Sequence, residues 1–161
     1  MLPVLLALGL GSGLLAAAPA GDGLLQPQGE PYYAKLDRDV AQHGWACVFV
    51  GEDKKHGFAY TVGLSGKHLP ELLIDTGEDS AVSCTMLNAV AKKIIAHGAP
   101  VPDKYEPLGA MHGRLLNIYP KEFLDRCLFA GVWAFRHKTA DGFTGMQIVF
   151  PDKDGRYPRI T

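Results

Sequence analysis

Glu71 follows Pro70 and heads the apolar run Leu72-Leu73-Ile74, so a carboxylate stands where a buried strand should begin. A carboxylate taken out of water without a partner either rises in pKa or costs several kcal/mol, so Glu71 needs donors. Three sources are within reach of the sequence: a Lys or Arg, the Tyr60 hydroxyl, or the backbone N–H groups of the loop from Ser65 to Lys67. A carboxyl so placed can act as a general base, bind the donor groups of a ligand, or order the loop, and the last is the simplest expectation. Asp75 shares its face in a regular strand, but about 13 Å away at roughly 3.3 Å per residue, too far for a glycosidase pair. The second acid/base candidate is His112, which sits between Met111 and Gly113 in a Pro- and Gly-rich segment and titrates near neutrality.

Metal chemistry is not expected. His43, His56, His68, His97, His112 and His137 never fall four apart, and no C-x-x-C adds thiolates. No G-x-S-x-G, P-loop or G-x-G-x-x-G occurs, and these residues specify no cofactor. Cys47, Cys84 and Cys127 are an odd number at wide spacing, and Cys84, near a helix start, reads as a packed thiol.

Around Glu71 lies HGFAYTVGLSGKHLPELLIDTG, residues 56–77. Strand alternation puts Phe58, Tyr60, Val62 and Leu64 on one face and Ala59, Thr61 and Gly63 on the other. A face of small residues admits a helix, another backbone or a ligand, and the helix from Ala81 is the expected neighbour. Asn88, on the flank of that helix, either bonds a loop backbone or points into a pocket over Thr61 and Gly63.

The elements that must hold these groups follow from period and punctuation. A short amphipathic helix runs over 33–43, with Tyr33, Leu36 and Val40 inward and Gly44 as its stop. Residues 45–50 and 58–64 read as a hairpin with a longish loop, and a third strand follows Pro70. A helix over about 81–97, with Cys84, Leu87, Val90, Ala91 and Ile94 inward, stops at Gly98. PVPDKYEPLGAMHG is too rich in Pro and Gly for regular structure, and LLNIY is a short strand. Pro120 opens a helix ending at Gly131, and VWAFRH with GMQIVF makes a last hairpin. The expected fold is α+β, with a mainly antiparallel sheet, either plain or curled into an open or split barrel, and about three helices.

With 161 residues, 47% of them hydrophobic and 20% charged, the chain has room for one such domain. Sixteen basic against seventeen acidic residues, with no Lys/Arg run, exclude a strong field for nucleic acid. Residues 1–31 stand apart as an apolar leader and a Gly/Pro-rich linker, and 32–161 as the domain. The leader resembles a signal peptide, ending in Ala18-Pro19-Ala20, yet no Lys or Arg precedes Lys35. A cytoplasmic location is the expectation, export through residues 1–20 the alternative, and no stable membrane span is expected in the mature domain.

His43-Gly44-Trp45, Tyr60 to Leu64, Pro70-Glu71-Leu72, Leu87-Asn88, Gly98, Pro151-Asp152, Gly155 and Pro158 together resemble a bacterial family, the domain of unknown function DUF4262, over about residues 32–158. The resemblance implies an intracellular protein and names no reaction. It singles out Tyr60, Thr61, Gly63, Glu71, Asn88 and Asp152 as the positions to place at a ligand site. A fold-level analogy to flavin-reductase-like split barrels is weaker. Two functions follow as expectations: a small-molecule-binding domain, with or without catalysis by Glu71 or His112, whose pocket lies beside FAYTVGL; or a protein- or peptide-binding module.

Overall fold

Two short strands, β1 (Leu5–Leu8) and β2 (Leu14–Ala17), precede the first helix, α1 (Glu30–His43). The computed structural model describes residues 29–51, 57–75, 77, 79–98 and 120–157, and for 5–8, 14–17, 105–108 and 111–118 the backbone pairing alone. The Ala18-Pro19-Ala20 motif, the linker through 28, His56, Pro158 and the side chain of His112 lie outside the described residues.

Pro31 supplies a preset φ in the first turn of α1, Tyr33 and Leu36 are its buried stripe, and Gly44 ends it. With φ at +95°, Gly44 donates its N–H to the Val40 carbonyl at 2.8 Å, the left-handed stop that a Cβ would oppose. The hairpin follows as expected: β3 (Ala46–Gly51) pairs antiparallel with β4 (Gly57–Val62), from Ala46↔Val62 to Gly51↔Gly57. A 3₁₀ turn, Leu64–Lys67, leads to β5 (Glu71–Ile74), which pairs with β4 through Ala59↔Ile74 and Tyr60↔Leu73. Helix α2 (Ser80–His97) is capped by Asp79, whose carboxylate accepts the Val82 N–H at 2.9 Å.

Three elements depart from the sequence reading. The Pro- and Gly-rich segment contains strand β6 (Tyr105–Leu108), and the strand expected at LLNIY begins earlier, inside that segment, as β7 (Met111–Ile118), paired antiparallel with β6. The helix from Pro120 breaks at Cys127 into α3 (Pro120–Arg126) and α4 (Leu128–Arg136), so VWAFRH is helical rather than a strand. Its aromatic and β-branched residues resemble a strand locally, but the buried set Phe129, Ala130, Trp133 and Ala134 has helical spacing. Gly131 therefore lies inside α4, where a Cβ would come within 2.6 Å of Leu124 Cδ2 on α3. The last strand, β8 (Gly145–Val149), pairs parallel with β5 and antiparallel with β7 rather than with VWAFRH.

The described strands form one open mixed sheet in the order β2-β1-β3-β4-β5-β8-β7-β6, and mostly antiparallel pairing fits the expected α+β class. Helices cover both faces of its central strands. Alternation sends Trp45, Cys47, Phe49, Ala59, Leu72, Ile74, Met146 and Ile148 to the face under α2, where Leu87, Val90, Ala91 and Ile94 meet them. Ala46, Val48, Tyr60, Val62 and Leu73 face the other way, onto Tyr33, Leu36, Phe123, Phe129 and Trp133. Alternation groups Leu64 with Tyr60, but Gly63, at φ +108°, turns the chain and delivers Leu64 to the α2 side.

Candidate functional site

Glu71 is fully buried, and its donors are local. Oε1 accepts the N–H of Gly63 at 2.8 Å and of Ser65 at 3.0 Å, while the Thr61 hydroxyl donates to Oε2 at 2.7 Å. The same hydroxyl accepts the Leu72 N–H at 2.8 Å. The β4–β5 ladder stops at Tyr60↔Leu73, and Thr61 extends the pairing by one bond with its side chain. Burial pushes the Glu71 carboxyl above its ordinary range; the N–H of Ser65, the Thr61 hydroxyl and the Gly63 N–H pull it back without cancelling the shift. Of the three sources of donors open to the sequence, the Ser65–Lys67 loop supplies one, the Ser65 N–H, and the Tyr60 hydroxyl none; the Gly63 N–H and the Thr61 hydroxyl are donors outside those sources. Thr61, Gly63 and Glu71 are thus brought together, as a buried anchor that holds the 3₁₀ turn on the sheet.

Gly63 is small for a different neighbour than the one expected. A Cβ there would lie 2.6 Å from Val40 Cγ2, so α1 packs on this position while α2 covers Ala59. Tyr60 points to the opposite face, into the layer of Tyr33, Phe123 and Phe129, where its hydroxyl accepts the Phe129 N–H at 3.4 Å. Burial drives the Tyr60 hydroxyl well above its ordinary pKa, which keeps it neutral. Tyr60 and Thr61 therefore do not share a surface.

Asn88 belongs elsewhere. Its Oδ1 accepts the indole N–H of Trp45 at 2.9 Å, and both residues are buried. Trp45 directly follows the left-handed Gly44, so the turn that ends α1 aims the indole under α2. A buried indole N–H calls for an acceptor, and Asn88 meets that need one turn along α2 from Cys84. Over this pair opens a cleft of about 690 Å³ lined by Gln42, His43, Trp45, Thr85, Asn88, Ala89 and Lys92. Thr85, Asn88, Ala89 and Lys92 recur at helical spacing, one face of α2; Gln42 and His43 are the last turn of α1.

A disulfide joins the two walls. Cys47 on β3 and Cys84 on α2 are bonded with Cα atoms 5.9 Å apart. The sequence held the signal: Cys47 lies on the inward face of β3, opposite Thr61, and Cys84 in the inward stripe of a helix expected to cross that face. The remaining thiol, Cys127, is buried among apolar groups that push its pKa up.

Asp152 is separate from all of these. Its Oδ1 accepts the N–H groups of Asp154 and Arg156, each at 2.9 Å, closing an exposed turn near the end of the chain. His112 lies in β7 opposite Pro107. Among the described residues no group of three or more His, Cys, Asp or Glu side chains could hold a metal ion. No described helix is long and apolar enough to cross a membrane.

The fold and the Trp45–Asn88 cleft define an α+β domain with a recess between two helices. The family model of a domain of unknown function, DUF4262, matches residues 39–160, most of the chain, and the chain belongs to that family. No curated protein and no solved structure matches it.

Proposed function

We propose that this is a small-molecule-binding domain whose ligand sits in the cleft between the end of α1 and α2, over the Trp45–Asn88 pair. The supporting observation is that pair: a buried indole N–H bonded to a buried amide oxygen at 2.9 Å fixes both groups at the base of a recess. Its volume, about 690 Å³, is within the range of small-ligand sites. The recess is next to FAYTVGL through β3 but does not use Glu71 or Thr61, whose polar groups bond to each other and to the neighbouring backbone.

A fragment library screened by ligand-observed NMR against the full chain and against Ala89→Trp tests this reading. Ala89 is an exposed position of α2 on the cleft wall, so the indole fills the recess without entering the core. Fragments should bind the native chain and lose binding to the variant; equal binding to both overturns the assignment. The second reading, a protein- or peptide-binding module, draws on α4, where Phe135 is 77% exposed and Leu128 39%. Phe135→Asp would abolish partner capture and leave fragment binding unchanged.

The disulfide also bears on location. Disulfides persist in oxidising compartments, and the buried Cys127 leaves no exposed odd thiol. Both support export through residues 1–20 over a cytoplasmic location. Thiol trapping in intact cells tests it: one alkylated cysteine after unfolding supports export, three oppose it.

A further inference from the structure

We propose that the ligand of the Trp45–Asn88 cleft is a small organic molecule bearing an oxyanion, a carboxylate or a phosphate, held by Lys92; this rests on the binding role proposed above. The lining mixes apolar surface with polar groups whose only charged side chain is basic. Gln42, Thr85 and Asn88 bring amide and hydroxyl groups, His43 an imidazole and Lys92 an ammonium, and no acidic side chain lines the cleft among the described residues.

One ammonium beside amide, hydroxyl and imidazole groups, with no carboxylate in the lining, is complementary to an oxyanion, and hydrogen bonds to a charged acceptor are the stronger kind. The volume far exceeds an inorganic ion. Trp45 and Ala89 give the recess an apolar side, against which an organic body can rest. The same lining disfavours a cationic ligand, which would bring its charge against Lys92 with no carboxylate to meet it.

Benzoate, benzyl alcohol and inorganic phosphate separate these elements, since the first two share a ring and differ in charge. The readout is the indole Nε1–H resonance of Trp45 in the full chain, assigned against Trp133→Phe, which removes the only other indole. Benzoate should shift this resonance saturably and bind about tenfold or more tightly than benzyl alcohol. Phosphate should bind more weakly than benzoate and compete with it. Lys92→Gln should reduce benzoate to the affinity of benzyl alcohol, whereas Lys121→Gln, on α3 across the sheet, should change nothing. Equal binding of benzoate and benzyl alcohol, unaltered in Lys92→Gln, would overturn the anion assignment and leave the small-molecule reading standing. No shift of the Trp45 resonance with any probe, and no fragment binding, would overturn both.

Discussion

The Thr61 hydroxyl bridges strands β4 and β5, donating to Glu71 Oε2 at 2.7 Å and accepting the Leu72 N–H at 2.8 Å. One oxygen thereby serves a buried carboxylate and replaces a ladder carbonyl. Thr61→Val keeps the shape and deletes the hydroxyl, leaving a buried N–H and a carboxylate oxygen each short of a bond, for a cost of about 2–4 kcal/mol. Thr61→Ser keeps the hydroxyl and loses one methyl group, about 1 kcal/mol. Urea unfolding of the three proteins should rank them native, Ser, Val. A valine variant as stable as serine would show that packing rather than the hydroxyl matters here.

Glu71 gives a pH dependence of definite sign. Its carboxyl is raised on folding from the ordinary 4.5 because burial outweighs the donors around it. A carboxyl with a raised folded pKa holds its proton better in the fold, so its contribution is most favourable below 4.5 and is lost as pH rises through the folded value. Glu71→Gln keeps the shape and does not titrate. The stability of the native chain relative to Glu71→Gln should therefore fall as pH rises above 4.5. A difference that stays flat, or grows with pH, would mean that the N–H and hydroxyl donors outweigh burial and hold the carboxylate charged.

Gly63 combines two demands on one position. Its φ of +108° is strained for any residue with a Cβ, and that Cβ would meet Val40 Cγ2 at 2.6 Å. Gly63→Ala should cost about 1–3 kcal/mol. Shortening the neighbour separates the demands: in Val40→Ala the same glycine change should cost less, because only the backbone strain remains. A double-mutant cycle by thermal or urea unfolding measures the coupling, and additivity would place the whole penalty on φ.

Much of this arrangement was legible in the residue pattern, and the limits have physical causes. The stops at Gly44 and Gly98, the 45–50/58–64 hairpin and the buried stripe of α2 are local signals, and the structure keeps them. The need of Glu71 for donors was equally plain, and the loop was among its named sources. What alternation could not show is the left-handed turn at Gly63, which changes the face of Leu64 and brings the Gly63 and Ser65 N–H groups to one carboxylate oxygen. Helix α4 was hidden because Val132, Trp133 and Phe135 favour strands locally, and only the packing of Phe129, Ala130, Trp133 and Ala134 decides for a helix. The cleft was hidden because Trp45 reads as core in sequence. It is core, and its indole edge also meets Asn88.

The disulfide ties stability to the cleft. Cys47 is two residues after Trp45, and Cys84 immediately precedes Thr85, so the bond links the segments that form both walls. It closes a loop spanning 37 residues, for which chain entropy alone gives about 4 kcal/mol. Reduction, or Cys84→Ser, should lower the stability of the fold by up to about that amount. It should also free the first turns of α2 from β3, broadening the Trp45 indole resonance before the domain unfolds. Quantified thiols check the premise: the unfolded chain should show one free cysteine without reductant and three with it. Three thiols without reductant would remove the cross-link, leaving apolar packing of Leu87, Val90 and Ile94 as the hold of α2 on the sheet.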